Sequence, residues 1–228
     1  MWLKPANQLE LYKVNNKILS ILIFTASIAG TNAFANDLKV KITQSIASVD
    51  VMHKGKKITI KRNQNNKNEV ISAFAKTSRN CPPFCINPMQ LAPGVETVGE
   101  VEMLDYLKKV SDGDKSVLVI DSRTEDWVKK GTIPGSINIP WTKLNAAQGA
   151  SPLDIVDIME KDFSVTEAEG LYNYTKAKTL VMFCNGMWCG QSPSNIRSLL
   201  KYGYPADKIK WYRGGMQNWS NLGLTTVK

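Results

Sequence analysis

Short, unbroken apolar runs alternate with helix-like segments from about residue 98 onward. The runs at residues 116–120 and 179–183 are apolar at nearly every position, whereas residues 101–110 carry apolar side chains at helical spacing. Strands of this kind are buried on both faces, so the pattern predicts an α/β domain with a central parallel sheet and helices on both faces. Further strands are predicted at residues 137–139 and 209–212, and further helices at 125–130, 154–161 and 167–174.

The region before residue 98 has a different texture. Short strands are predicted at residues 38–42, 48–52 and 58–60, with a turn at 53–56 between the last two. Residues 69–78 fit a strand or a short helix equally well. We therefore expect a small β-rich annex at residues 36–97, followed by the α/β domain at residues 98–228.

The N-terminus has the pattern of an export signal. Lys13 and Lys17 precede a short apolar run at residues 18–24, and Ala33 and Ala35 are the small residues that a signal peptidase recognises. We predict a signal peptide at residues 1–35 with cleavage after Ala35. The protein is then periplasmic or secreted, without stable membrane insertion after cleavage. A retained anchor is the alternative, although the run is short for a membrane span.

The charge of the chain does not indicate a nucleic-acid partner. The formal net charge is +9, but the basic residues are spread out, and the densest group at residues 54–62 falls on a predicted hairpin. A solvated face explains it better than a binding surface. The four cysteines do not have the spacing of a zinc site, and no histidine lies near them, so we predict no metal and no cofactor.

Cys184 stands at a junction that can activate a thiol. The apolar strand at residues 179–183 runs into Cys184, and a short loop leads to a helix in which Ser192 is a preferred N-cap and Pro193 suits the first position. The unpaired amides of the loop and helix start should gather around the Cys184 sulfur and lower its pKa. Cys184 is therefore a candidate nucleophile.

Four motifs together resemble the rhodanese family. They are residues 119–123, residues 131–140, the Cys184 loop and residues 213–219, in that order along the chain. The resemblance implies a rhodanese-like fold and a sulfurtransferase in which Cys184 carries sulfane sulfur as a persulfide within a cradle of loop amides. It also places Asp121 and Arg123 near the site, where we expect a structural ion pair or turn hydrogen bond.

The loop departs from the family pattern in ways that bear on its substrate. It is longer than usual, and Cys189 stands where a basic or small residue is usual. We predict that the loop residues around the two thiols bind substrate: Asn185, Gly186, Met187, Trp188, Gly190 and Gln191. None of them is charged, which disfavours phosphatase chemistry and weakens thiosulfate as a preferred donor, although Arg197 and Arg213 could reach the site from outside. Acyl transfer lacks a base, because the only histidine, His53, lies in a predicted turn of the annex.

The remaining cysteines leave several pairings open. We predict Cys189 as a second catalytic thiol that attacks an oxidised or persulfidated Cys184 and leaves an internal disulfide. The alternatives are that Cys189 is buried packing or pairs with Cys81 or Cys85. A structural disulfide is the favoured interpretation of Cys81 and Cys85, which are separated by two prolines and Phe84. A redox pair that faces Cys184 is the other.

The sequence thus favours an exported rhodanese-like sulfurtransferase with a small sulfur donor and a thiol or protein acceptor. A thiol-disulfide redox protein that uses Cys184 and Cys189 is one alternative, and a non-catalytic rhodanese-fold binding module is another. The oligomeric state is left open. We also hypothesise that the annex covers or serves the active loop.

Overall fold

The structure, a computed structural model, describes residues 38–228. The signal peptide predicted for residues 1–35 lies outside the described residues. Between residues 38 and 228, no helix has both the length and the apolar character needed to cross a membrane.

The annex is built on one antiparallel hairpin. Strand β1 (Ser48–His53) pairs with β2 (Lys56–Lys61), as predicted, and Lys54 and Gly55 turn the chain with φ angles of 48° and 75°. Positive φ at both central residues matches the right-handed twist of the strands. Residues 69–78, open between strand and helix, contain a single helical turn, α1 (Ser72–Ala75).

The strand predicted at residues 38–42 is wrong. This segment forms bends, and the backbone of Val40 bonds to a side chain in place of a strand: its amide donates to Gln64 Oε1 at 3.1 Å and its carbonyl accepts from Gln64 Nε2 at 2.9 Å. The Gln64 side chain thus makes the backbone hydrogen bonds that a partner strand would have made.

The rest of the chain alternates strands and helices. In chain order the elements are β3 (Glu96–Val98), α2 (Glu100–Ser111), β4 (Val117–Asp121), α3 (Glu125–Val128), β5 (Ile137–Asn138), α4 (Pro152–Lys161), β6 (Thr166–Ala168), β7 (Leu171–Asn173), β8 (Thr179–Phe183), α5 (Gln191–Lys201), β9 (Ile209–Tyr212) and α6 (Gly215–Asn221).

Five strands form one parallel sheet in the order β3-β9-β8-β4-β5. The central strand β8 alternates between two cores: Val181 and Phe183 face one, and Leu180 and Met182 face the other. Helices α2 and α6 cover the first face, and α4 and α5 cover the second. The predicted α/β fold with a parallel sheet is therefore confirmed.

The helix predicted at residues 167–174 is wrong, because this segment is the small hairpin of β6 and β7. Glu169 and Gly170 turn the chain with φ angles of 54° and 81°, and the Gly170 amide donates to the Glu167 side chain. A helix cannot pass through two successive residues in the left-handed region.

The annex hairpin shares a core with the α/β domain. Val51 and Ile60 are fully buried in the same cluster as Val119 and Phe183. The Thr225 amide, near the C-terminus, donates to the Lys61 carbonyl at 3.1 Å. The annex and the sheet are therefore packed as one body, in which β1 and β2 close one face of the core.

Candidate active site

The carboxyl end of β8 delivers Cys184 into the loop before α5. The helix begins at Gln191 with Gly190 as its N-cap, so the predicted N-cap role of Ser192 is wrong, and Pro193 is the third helical residue, not the first. The Gly190 carbonyl already accepts from Ser194, which starts the helix two residues early. This shift turns the Ser192 side chain inward, where its hydroxyl donates to Cys184 Sγ at 3.1 Å and accepts from Trp211 Nε1 at 3.2 Å.

The sulfur of Cys184 lies in a cradle of neutral donors. The side chain is 2% exposed. Burial alone raises the pKa of this thiol, but the Cys189 thiol, the Ser192 hydroxyl and the amides of Ser192 and Gly186 all donate to the sulfur and lower its pKa to about 7. Ionisation of this thiol is therefore shifted toward neutral pH. Amides lie around the Cys184 sulfur, as the sequence predicted. Ser192 is not the N-cap and instead contributes its hydroxyl.

Cys189 lies against Cys184 as a second, unbonded thiol. It is 4% exposed and free, and Gln191 Oε1, 3.8 Å from its Sγ, is an alternative acceptor for the one thiol proton that otherwise points to Cys184. Burial, and then the interaction with Cys184, raise the pKa of Cys189 well above its ordinary value. The two thiols are thus chemically unequal, because Cys184 ionises first and Cys189 is the donor that stabilises its anion.

The N-terminus of α6 forms hydrogen bonds with the backbone of the Cys184 loop. The amides of Met216 and Gln217 donate to the carbonyls of Cys184 and Asn185 at 3.0 and 2.9 Å. This close approach requires Gly215, whose φ is +55°, because a Cβ there would stand 2.3 Å from the Cys184 carbonyl oxygen. Gly215 is therefore required by the close approach of α6 to the backbone of the Cys184 loop.

Asp121 and Arg123 form a buried ion pair beside the loop. Both side chains are 1% exposed, and Arg123 Nη2 lies 2.6 Å from Asp121 Oδ2. The remaining donors of Arg123 reach Gly131 O at 2.7 Å and Asn185 Oδ1 at 3.3 Å, and Thr132 Oγ1 donates to Asp121. The pair thus has the structural role that we expected, and its guanidinium also contacts the Asn185 side chain of the Cys184 loop.

A segment of the annex lies directly over the loop. We call residues 79–89 the strap; within it, Cys81 and Cys85 form a disulfide, as the favoured interpretation predicted. Pairing of Cys189 with either of them is therefore excluded. Asn87 donates through Nδ2 to the carbonyls of Met187 and Cys189 at 3.0 and 3.1 Å. The annex thus contacts the Cys184 loop through the strap, in agreement with the hypothesis that it covers this loop.

The two outlying arginines do not supply charge to Cys184. Arg213 Nη2 donates to the Asn87 carbonyl at 2.8 Å and so anchors the strap. Arg197 is on the exposed face of α5 and lines a different depression, beside Asn145 and Tyr202. Neither arginine therefore replaces the charge that the loop itself lacks, and the guanidinium carbon of Arg79 lies 3.9 Å from the centroid of Trp188.

The predicted loop residues contribute to the site in different ways. The amide of Gly186 binds the Cys184 sulfur, and Met187 packs against the two thiols while its carbonyl is held by the strap. Trp188 Nε1 donates to Gln217 Oε1. The residues that open onto a surface cleft are Asn185, Trp188, Gly190 and Gln191, together with Cys189.

Several site residues were not predicted from the sequence. Arg79 and Phe84 come from the strap, Trp127 comes from α3, and Trp141 begins a short helical turn after β5. They reach the loop through contacts between distant parts of the chain, for which the sequence offers no local pattern. Among the described residues, no group of three or more His, Cys, Asp or Glu side chains is assembled for a metal ion.

Comparison with known proteins gives one family match. The family model described as "Rhodanese-like domain" matches residues 103–222. No curated protein matches the chain. Among solved structures, a human single-domain sulfurtransferase, TSTD1, is 20% identical, with 55% of this chain and 95% of that chain covered at a TM-score of 0.35. A rhodanese-related protein from Thermoplasma volcanium is 18% identical, with 58% and 97% covered at a TM-score of 0.34.

Proposed function

The chain belongs to the rhodanese-like domain family, and on that premise we propose that it is a sulfurtransferase that carries sulfane sulfur as a persulfide on Cys184. One observation carries the proposal: a buried thiol whose pKa is lowered to about 7 by neutral donors. Thiolate attack on sulfur depends on ionisation of the thiol and needs no general base. The donors around the Cys184 sulfur favour this ionisation.

The proposed cycle has two displacements. The Cys184 thiolate attacks the sulfane sulfur of the donor, a sulfur–sulfur bond forms, and the rest of the donor leaves with the electrons of the broken bond. The thiolate of an acceptor then attacks the outer sulfur of the persulfide and releases Cys184 as a thiolate. The amides of Gly186 and Ser192 and the Ser192 hydroxyl stabilise negative charge on the Cys184 sulfur before and after each step.

A thiol-disulfide redox protein is the second candidate. The observation that favours it is the contact between two free thiols of unequal pKa, Cys184 and Cys189. Cys184 would attack the disulfide of a partner, and Cys189 would then attack the mixed disulfide at Cys184, so that the partner leaves as a dithiol. Both electrons pass from the cysteine pair to the partner disulfide.

We also propose that the protein acts after export, in the periplasm or outside the cell. The exposed Cys81–Cys85 disulfide supports this, because such bonds persist in oxidising compartments. The partners are then a small sulfur donor and a thiol or protein acceptor, without nucleic acid. Cell fractionation followed by N-terminal sequencing tests the location, and a mature protein that still begins at Met1 in the cytoplasm would contradict it.

Mass spectrometry tests the proposed reaction. The reduced protein is incubated with sulfane donors, and we expect a reducible adduct with the mass of one sulfur atom. Because Lys178 and Arg197 bound one tryptic peptide that contains both thiols, fragment ions must place the sulfur on Cys184. Cys184→Ser should abolish the adduct, whereas Cys189→Ser, which leaves Cys184 and its serine and amide donors in place and keeps a hydroxyl donor at position 189, should still form it. The absence of an adduct with every donor, while Cys184 is reduced, would overturn the proposal.

Disulfide mapping separates the remaining candidates. A Cys184–Cys189 bond that exchanges with partner thiols, without any sulfur adduct, would favour the redox protein. For the non-catalytic binding module, Cys184→Ser would alter stability only, and neither sulfur nor disulfide transfer would be detected in the native protein.

A further inference from the structure

The two pairs of cysteines differ in how readily a reagent in solution reaches them. Cys184 and Cys189 are free thiols with only 2% and 4% of their surface exposed. Cys81 and Cys85 form the disulfide of the strap, and both residues are exposed. Exposed disulfides are the ones that exchange most readily with external thiols. The strap disulfide is therefore open to exchange while the loop thiols are covered.

Asn87 joins the strap to the backbone of the Cys184 loop. Its amide donates to the Met187 carbonyl at 2.9 Å, and its side-chain Nδ2 donates to the carbonyls of Met187 and Cys189 at 3.0 and 3.1 Å. The Cys189 carbonyl oxygen lies 3.5 Å from Cys184 Sγ. Two residues beyond the disulfide, Asn87 thus holds the carbonyl that lies against the reactive sulfur.

Phe84 lies within the short covalent loop that the disulfide closes. Its ring meets the ring of Trp188 edge to face, with centroids 5.8 Å apart. Trp188 precedes Cys189 in the chain and is only 8% exposed. The disulfide therefore positions an aromatic cover on the residue beside the second thiol.

The strap buries little apolar surface of its own. Three of its apolar side chains are exposed: Phe84 by 41%, Ile86 by 68% and Met89 by 66%. A segment with few buried apolar contacts has a low free energy of local opening. A disulfide restrains such a segment by removing conformations that the open chain would otherwise adopt. The covalent bond therefore contributes much of what keeps the strap over the loop.

We propose that the Cys81–Cys85 disulfide is a second redox site of this chain, that a dithiol reduces it, and that its reduction releases the strap from the Cys184 loop. In the reduced form, the strap loses the restraint that holds Phe84 and Asn87 on the loop. Access to Cys184 then depends on the redox state of a bond that lies outside the loop. This holds whether Cys184 transfers sulfur or electrons.

The dithiol alone balances the reduction. One thiolate of the dithiol attacks a sulfur atom of the strap disulfide, a mixed disulfide forms, and the other strap cysteine leaves as a thiolate that takes up a proton. The second thiol of the dithiol loses its proton and attacks the dithiol's own sulfur in the mixed disulfide, so that the remaining strap cysteine leaves. The strap gains two electrons and two protons, and the dithiol becomes a disulfide. Cys184 and Cys189 stay as free thiols throughout.

Dithiothreitol tests the redox site directly. In the full chain carrying both Cys184→Ser and Cys189→Ser, Cys81 and Cys85 are the remaining cysteines, so every thiol that is released comes from the strap. We expect millimolar dithiothreitol to reduce the folded protein without denaturant, and alkylation followed by mass spectrometry to count two new thiols. A disulfide that opens only at concentrations of urea that unfold the protein would overturn the proposal.

Alkylation of Cys184 by N-ethylmaleimide tests the release of the strap. The rate is measured at pH ~9, where Cys184 is ionised, so that it reports access to the sulfur more than its pKa. Cys81→Ser combined with Cys85→Ser imitates the reduced strap and should speed the alkylation of Cys184 about tenfold or more. Fragment ions distinguish Cys184 from Cys189. A rate equal to that of the parent would overturn the release of the strap.

A further variant leaves the disulfide intact. Asn87→Ala removes the side-chain hydrogen bonds to two loop carbonyls and should also speed the alkylation of Cys184, whereas Asn80→Ala, at an exposed asparagine of the same strap, should not. The urea unfolding midpoints of all these variants should stay close to that of the parent, because residues 79–89 lie outside both cores of the sheet. If the double serine variant unfolds more easily, Asn87→Ala decides the question. Equal rates for Asn87→Ala and Asn80→Ala would show that the strap does not hold the loop and would overturn the proposal.

Discussion

The Ser192 hydroxyl donates a hydrogen bond to the Cys184 sulfur at 3.1 Å and accepts one from the Trp211 indole at 3.2 Å. One oxygen thus connects the reactive thiol, helix α5 and strand β9. Because the Trp211 donor is fixed, the hydroxyl proton is free to point at sulfur. This orientation stabilises the thiolate over the thiol.

Replacing Ser192 with alanine should therefore raise the pKa of Cys184. The loss of one hydrogen bond to a charged sulfur corresponds to an increase of about one pH unit. The measurement is the rate of iodoacetamide alkylation as a function of pH, with the alkylated residue identified by mass spectrometry. Ser198→Ala, on the same helix, is the control and should keep the native profile. An unshifted profile in Ser192→Ala would contradict the assigned role.

The stability of the reduced protein should depend on pH through Cys184. Its pKa is about 7 in the folded chain and 9.0 ordinarily, so the folded state binds the proton more weakly than the unfolded state does. The resulting stabilisation, about 3 kcal/mol, is fully present above pH ~9 and is lost as the pH falls through about 7. Urea unfolding of the native protein and of Cys184→Ser across this window measures it. Parallel pH curves for the two proteins would contradict it.

Gly215→Ala should destabilise the protein and displace the loop. The substitution places a Cβ 2.3 Å from the Cys184 carbonyl oxygen at a φ of +55°, and we expect a loss of more than ~2 kcal/mol in the free energy of unfolding. Gly113→Ala is the matched control, because Gly113 also has a positive φ, +94°, but nothing lies within 4 Å of its Cβ position. If both variants lose equal stability, the cost is conformational, and the close approach to Cys184 is not the cause.

Asp121→Asn should lower the free energy of unfolding far more than substitution of an exposed carboxylate does. It leaves the Arg123 guanidinium buried without its counter-charge, which typically costs about 3–5 kcal/mol. Asp112→Asn, which breaks the exposed pair with Lys108, should cost less than ~1 kcal/mol. Urea unfolding midpoints at neutral pH compare the two. Similar midpoints would show that the buried pair is not structural.

Local patterns were enough to predict the sheet and the position of Cys184 at the end of one of its strands. The runs that became β4 and β8 are continuous because both of their faces are buried, and Cys184 follows β8 directly. The hairpin at residues 166–173 was missed because its apolar and polar residues fit a helix as well as two very short strands. The turn at Glu169 and Gly170 decided the outcome, and glutamate rarely adopts a positive φ.

The details of the site depended on contacts that no local pattern contains. Serine is a preferred N-cap residue, but the carbonyl that accepts the first helical hydrogen bond is that of Gly190. The helix therefore begins two residues earlier than predicted, and Ser192 is turned toward Cys184. Asn87 is separated from Met187 by 100 positions, so its hold on the loop depends on the packing of the whole annex. Arg79 meets Trp188 for the same reason.

The shared core of the annex hairpin and the sheet has a consequence for how the protein unfolds. The family match begins at residue 103, yet Val51 and Ile60, far upstream, fill the same interior as Val119. The part of the chain that the family model matches is therefore smaller than the part that packs around this core. We expect a fragment limited to residues 98–228 to expose that interior and aggregate, while residues 38–228 unfold in a single transition.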